Sequence, residues 1–146
     1  MDPNAYRFHM TWSVPAGPDA VFAALEAVDR YPAWWPEVRS THQLDERSGE
    51  VVCRSWLPIE LRLTLRQVRR DPVGRVLEAD VTGDLEGWLR WSVTGTAGAS
   101  RAVLDQEVVA RKPILRRLAW VGRPAFRLNH ARMMRHGGQG LARHLG

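Results

Sequence analysis

The feature that most constrains the fold of this chain is its division into a strand-patterned body and one long helical tail. Residues 6–110 are rich in Trp and carry mostly strand patterns with frequent turn signals, whereas residues 111–146 contain no acidic residue. This order predicts a curved sheet that packs on a single long helix. Because one helix cannot fill a strongly bent sheet, we expect an apolar cavity between the two.

The body is predicted to form seven strands. Residues 6–14 alternate without a break, which predicts a half-buried strand whose inner face carries Tyr6, Phe8, Met10, Trp12 and Val14. Six further strands are predicted over residues 37–44, 50–57, 61–71, 75–82, 85–95 and 101–111. Since short turns rich in Gly and Pro connect them, consecutive strands should be antiparallel.

Two short helices are predicted between the first and second strands. Pro18 suits the first position of a helix, and Asp19 suits the positive end of its dipole. Pro32 and Pro36 disfavour helical geometry just before them, so a short helical turn should lead into the second strand.

The tail is predicted to form an interrupted helix. Pro113 begins the helical region, and Gly122 and Pro124 should kink or break it. Beyond the break, one stripe recurs at helical spacing through Phe126, His130, Met133, Gly137 and Leu141. Glycine is a poor helix former, so the glycines at positions 137, 138 and 140 indicate either a frayed helix or a close approach to the sheet.

The predicted fold class is therefore α+β, in a single domain over residues 1–146. A seven-stranded curved antiparallel sheet wraps on a long C-terminal helix, with two short helices between strands 1 and 2.

Composition points to a cytoplasmic protein. Cys53 is the only cysteine, so no disulfide can form within the chain. The first residues are polar and lack the apolar core of a signal peptide, and no apolar run is long enough to cross a membrane.

The net charge of +5 is unevenly distributed. Residues 111–146 hold nine basic and no acidic residues, for a charge of +9, and the remainder holds twelve basic and sixteen acidic residues, for −4. The basic helix either presents a solvated face or docks on an anionic membrane or an acidic partner, through Arg116, Arg117, Arg123, Arg127, Arg132 and Arg135. No nucleic-acid partner is expected, because no known reader motif is present.

Several segments resemble the START-like, or polyketide-cyclase and lipid-transfer, helix-grip superfamily. The resemblance is carried by residues 12–22, 31–38, 83–91, 126–134 and 140–145, and it covers nearly the whole chain. It implies the helix-grip fold and a ligand cavity. Members of this superfamily include lipid carriers, aromatase/cyclases, hormone receptors and coenzyme-Q-binding proteins, so the resemblance implies no single function.

The seven tryptophans are the main candidates for lining a cavity, because indole offers a large apolar face and one N–H donor. Most of them could equally fill the core. Apolar ligand contacts are predicted for Met10, Trp12, Trp35, Leu63, Trp91, Phe126 and Met133, with Trp35 at the rim. Gln106, Asn129 and His130 lie on or beside apolar faces, so they should either be satisfied locally or orient a polar group of the ligand.

The residues that could carry chemistry are few. His130 is the only candidate catalytic residue, although a lone histidine on an apolar helix face is more often a hydrogen-bonded core residue. Cys53 has no local base to activate it and is interpreted as an inert core residue. No metal site, cofactor motif or phosphate-binding loop is recognised.

These features lead to two functions for the same cavity. The first is binding or carriage of a hydrophobic molecule, whether aromatic, polyketide-like or lipid-like. The second is a cyclase or dehydratase reaction, which needs little beyond folding the substrate and one proton shuttle. Docking through the basic helix is a third hypothesis, and the oligomeric state is left open.

Overall fold

The computed structural model describes residues 2–54 and 59–146. The seven strands are β1 (Ala5–Val14), β2 (Val38–Gln43), β3 (Ser48–Arg54), β4 (Glu60–Asp71), β5 (Val76–Gly83), β6 (Leu85–Thr96) and β7 (Ala99–Ala110). The helices are α1 (Pro18–Glu26), a 3-10 helix (Val28–Ala33), α2 (Pro113–Arg117) and α3 (Arg123–Leu145). The predicted order of elements is thus confirmed.

All seven strands form one curved antiparallel sheet in the order β1-β7-β6-β5-β4-β3-β2. The chain runs from β2 to β7 through neighbouring strands, and β7 then lies beside β1. Interruptions of the register occur between Val38 and Ser40 and between Gln67 and Arg69. Such bulges increase the local twist of a sheet, which suits one that curves around a helix.

The segment between β1 and β2 follows the local sequence. Gly17 is the N-cap of α1, Pro18 occupies its first turn, and α1 buries Val21 and Phe22. Because Pro32 cannot donate the hydrogen bond of a regular helix, residues 28–33 form a 3-10 turn instead.

Helix α3 lies very close to the Trp-rich end of the sheet. A Cβ atom added at Gly137 would lie 2.5 Å from Cε2 of Trp35, and one at Gly138 would lie 2.9 Å from Cδ1 of Trp12. The helix continues unbroken to Leu145. The glycines therefore permit close approach rather than fraying.

The buried residues form two clusters, which lie at opposite ends of α3. The larger cluster centres on Trp12, Trp34, Trp35 and Trp91, and the smaller one on Tyr6, Leu85 and Phe126. Several leucines of β4 and β6 contact both clusters, namely Leu61, Leu65 and Leu89. These leucines line the space between the two clusters.

Candidate functional site

A cavity of about 270 Å³ lies between the concave face of the sheet and α3. This volume is close to the lower end of the ~300–1,000 Å³ range of ligand pockets. Its apolar wall consists mainly of residues from β4, β5, β6, β7 and α3, among them Leu61, Leu63, Leu65, Leu77, Leu89, Trp91, Leu104, Phe126, Met133 and Met134. The wall is therefore suited to a hydrophobic molecule.

The cavity opens beside the β2–β3 hairpin. Its exposed lining residues lie on this hairpin and on the 3-10 helix, and they are Asp29, His42, Gln43, Asp45, Glu46 and Arg47. Solvent thus reaches the cavity from the end that is remote from Phe126. None of these mouth residues was recognised from the sequence, because the hairpin is polar and gives no signal of a nearby cavity.

One buried polar pair lies in the wall deep in the cavity. Gln106 is 7% exposed and lies between Leu104 and Val108 on β7, and its Oε1 is 3.3 Å from Nε2 of His130 on α3. An amide oxygen only accepts hydrogen bonds, so Nε2 of His130 carries the proton in this pair and Nδ1 keeps a lone pair. The His130 ring also stacks on Phe8, with ring centroids 3.6 Å apart.

His130 is neutral near neutral pH. Burial, and to a smaller extent the positive charge of Arg127, lower its pKa to about 4. A neutral imidazole can donate one hydrogen bond and accept another. It is a weak base, however, because a general base works best when its pKa lies near the operating pH. The arrangement is thus better suited to orienting a ligand than to removing a proton.

The tryptophans divide between cavity wall and solid core. Among those in the described residues, Trp35 and Trp91 line the cavity. Trp12 packs instead against the rings of Trp34, Trp35 and Trp91 and against α3. Trp88 alternates along β6 with the inward-facing Leu89 and Trp91, and its indole nitrogen donates a hydrogen bond to Glu107 on the outer face. Trp56 lies outside the described residues.

Eight of the ten predicted contact residues are brought together around the cavity, and they are Trp35, Leu63, Trp91, Gln106, Phe126, Asn129, His130 and Met133. The other two, Met10 and Trp12, are on the expected face of β1 but outside the cavity lining. The glycines of α3 bring the helix onto Trp12, which leaves no space there for a ligand.

The predicted rim position of Trp35 is wrong. Its side chain is 5% exposed, and its indole nitrogen donates a hydrogen bond to the backbone oxygen of Met133. The flanking prolines at positions 32 and 36 are exposed, while the ring turns inward against α3.

Val51 and Cys53 both line the cavity, so the face of β3 that carries these two residues points inward. Burial raises the pKa of the Cys53 thiol to about 12, and the negative charge of Glu37 acts in the same direction. The thiol therefore stays protonated and unreactive at neutral pH.

Within residues 2–54 and 59–146, no group of three or more His, Cys, Asp and Glu side chains is arranged to hold a metal ion. Among the described helices, none combines the length and the apolar character that crossing a bilayer requires.

Solved structures confirm the fold at low sequence identity. The aromatase/cyclase Zhui from Streptomyces sp. R1128 is 16% identical, with a TM-score of 0.80 over 97% of this chain and 93% of its own. A START superfamily protein from Mycobacterium smegmatis is 14% identical, with a TM-score of 0.72 over 95% of this chain and 96% of its own. The di-domain aromatase/cyclase StfQ from the steffimycin biosynthetic pathway is 13% identical, with a TM-score of 0.72 over 98% of this chain and 51% of its own.

No curated protein sequence matches this chain. The sequence model of one family, described as "Polyketide cyclase / dehydrase and lipid transport", matches residues 6–146. That match includes all of β1 except Ala5, the other six strands, α3 and every described residue of the cavity wall. The chain therefore belongs to the polyketide cyclase/dehydrase and lipid transport family.

Proposed function

We propose that this protein binds a hydrophobic small molecule that carries at least one polar oxygen, in the cavity between the sheet and α3. The observation that carries the proposal is the Gln106–His130 pair, placed within an otherwise largely apolar inner wall. The two side chains already hydrogen-bond to each other, and both line the cavity. The amide N–H of Gln106 can donate a further hydrogen bond to a ligand oxygen, and Nδ1 of His130 can accept one from a ligand hydroxyl.

Two observations favour an aromatic ligand: the residues of the cavity wall and the nature of the similar structures. The wall includes Trp35, Trp91 and Phe126, and aromatic side chains suit ligands with flat rings. Two of the similar structures are aromatase/cyclases. We therefore favour an aromatic, polyketide-like molecule over an extended lipid, with Leu63 and Met133 completing the apolar contacts and Asn129 assisting the polar pair.

The first test is native mass spectrometry of freshly purified protein, compared with the denatured protein. A released molecule of defined mass would identify the ligand class. The second test measures binding of N-phenyl-1-naphthylamine, a neutral apolar fluorophore, because it does not depend on what co-purifies.

The fluorophore test uses a pair of variants on β4. Leu63→Trp fills the cavity, and we expect it to abolish fluorophore binding. Val68→Trp places the same ring at an exposed position of the same strand and should bind like the parent protein. Equal binding by both variants, or no binding by the parent protein, would refute a ligand cavity at this site.

A cyclase or dehydratase reaction in the same cavity is the second candidate. Its support is that His130 lines the cavity and keeps a free lone pair at neutral pH. The test is His130→Ala with a synthetic poly-β-ketone. Loss of turnover with fluorophore binding retained would establish a reaction, whereas the absence of turnover in the parent protein would leave binding as the function.

We also propose a cytoplasmic location. The only cysteine of the chain, Cys53, is a free, buried thiol, and unpaired thiols are typical of reducing compartments. Labelling of Cys53 in denatured cell extract after blocking of accessible thiols would test whether the thiol is free in the cell.

A further inference from the structure

An exposed apolar surface lies on α2 and the turn that follows it. Trp120 is 70% exposed and Val121 is 86% exposed, and Ile114 and Leu118 are also exposed. We call these four residues, together with Arg116 and Arg117, the α2 patch. Large apolar side chains scattered singly on a surface are ordinary, but a contiguous group marks an interaction site.

The patch has one defined outward face. The turn after α2 continues with helix-like hydrogen bonds, from Leu118 N to Ile114 O at 3.3 Å and from Ala119 N to Arg116 O at 3.3 Å. Leu115 packs against the smaller core cluster and Ala119 is buried, so this side of the segment faces the body. Trp120 and Val121, the most exposed residues of the patch, therefore point away from the core.

The residue that follows the patch at the start of α3, Arg123, is bound to the N-terminal segment. Arg123, at the start of α3, donates hydrogen bonds to the backbone oxygens of Pro3 and Ala5, each at 2.8 Å, and its guanidinium lies over the Tyr6 ring. Arg123 is thus used within the fold. Arg116 also donates a hydrogen bond to the backbone oxygen of Ala110, at 2.9 Å, so the exposed positive charge of the patch comes chiefly from Arg117.

The charged side chains in the segment that contains the patch are all positive. Residues 111–146 contain nine basic and no acidic residues. Two of these cations, Arg111 and Lys112, pair with Glu86 and Asp84 at 3.1 and 3.6 Å. The remaining positive charge next to exposed apolar side chains is the pattern of a surface that meets anionic lipid.

We propose that the α2 patch docks this protein on the surface of an anionic lipid bilayer. Trp120 is suited to the headgroup region, where its ring meets apolar chains and its N–H meets water. A symmetric pairing of two copies through the patch would bring Arg116 and Arg117 of both copies together, so like charges oppose that alternative. The patch precedes α3, whose first turn carries Phe126, a residue of the cavity wall.

The test is sedimentation with vesicles of phosphatidylcholine alone and of phosphatidylcholine with phosphatidylglycerol. We expect binding to the anionic vesicles that weakens with added salt, and little binding to the neutral ones. The double variant Trp120→Ser/Val121→Ser should bind at least about ten-fold more weakly. Arg117→Gln should bind about five-fold more weakly, the effect of one cation at a membrane surface.

Two control variants match these changes at remote exposed positions. Val73→Ser in the β4–β5 turn removes a similarly exposed apolar side chain, and Arg101→Gln on β7 removes one charge. Both controls should bind like the parent protein.

The proposal is overturned by any of three results: equal binding to neutral and anionic vesicles, unchanged binding of the Trp120/Val121 variant, or equal losses in the control variants. It is also overturned if the parent protein is a dimer that this double variant converts to a monomer without vesicle binding, since the patch would then join two copies. Capture of an acidic protein by the patch, without binding to any vesicle, would overturn it as well.

Discussion

The indole nitrogen of Trp35 donates a hydrogen bond to the backbone oxygen of Met133, 3.0 Å away. This bond joins the turn before β2 to the middle of α3. A Cβ atom on Gly137, one turn further along the helix, would lie 2.5 Å from the same Trp35 ring. Contacts between tryptophans and glycines therefore set the distance between α3 and the sheet, and this distance limits the size of the cavity.

Gly140→Ala should destabilise the protein although alanine favours helix. The added Cβ would lie 1.8 Å from the backbone oxygen of Trp34, which cannot move aside as a flexible side chain can. We expect the free energy of unfolding to fall by about 2 kcal/mol or more, despite a gain of about 1 kcal/mol in helix propensity. Urea denaturation would measure the change. Gly98→Ala, where no atom lies within 4 Å of the added carbon, should shift stability by less than about 0.5 kcal/mol.

The Gln106 side chain should discriminate between ligands by polarity. Gln106→Met keeps the shape of the side chain but removes the hydrogen bond to His130. We expect affinity for 1-naphthol to fall about ten-fold, since a hydrogen bond contributes about 0.5–1.5 kcal/mol, and affinity for naphthalene to be unchanged. Calorimetric titration with both compounds would measure this. Parallel losses for the two compounds would show that the substitution distorts the cavity instead.

His130 should make the protein less stable in mild acid. Because burial lowers its pKa to about 4, the unfolded chain takes up a proton near pH 6.5 while the folded protein does not. The stability contributed by the neutral His130 is therefore complete above about pH 6.5 and is lost as the pH falls towards 4, by up to about 3 kcal/mol.

The measurement for His130 is urea denaturation of the parent protein and His130→Gln between pH 7.5 and 4. The contributions of other titrating groups largely cancel when the two proteins are compared. The free energy of unfolding of the parent protein should therefore fall relative to that of His130→Gln as the pH is lowered across this range. His144→Gln, at an exposed histidine near the end of α3, serves as the control for the loss of one histidine side chain. A constant difference for His130→Gln would mean that its pKa is not lowered.

Cys53 should react slowly with thiol reagents even though it lines the cavity. Its thiol is buried and its pKa is raised to about 12, so very little thiolate is present at pH 8. We expect 5,5′-dithiobis(2-nitrobenzoate) to label the folded protein at least about a hundred-fold more slowly than the protein in urea. Rapid labelling of the folded state would show that the cavity wall at β3 opens readily.

The faces of the strands could be predicted from the sequence, but the extent of the cavity could not. Alternation on β1 correctly placed Met10 and Trp12 on the concave side. Whether such a residue meets a ligand or the helix depends on how closely α3 approaches, which is set by contacts of Gly137 and Gly138 with residues far away in the chain.

The polar pair was partly predictable. Gln106 and His130 were singled out because each interrupts an apolar stripe, but period two and period 3.6 do not tell which residues of two elements meet. Their contact requires the register of β7 against β1, which opposes Gln106 to Phe8, and the stacking of His130 on that same Phe8.

The pairing of β1 with β7 also determines when the molecule can assemble. Ala5 of β1 lies opposite Val109 of β7, so β1, which is made before the other six strands of the described sheet, gains its only neighbour there after all of them have been made. Pairing of such distant segments slows folding. Until α3 is made, it cannot cover the leucines of β4 and β6. The incomplete chain then exposes an apolar concave surface, at the stage when aggregation competes most strongly with folding.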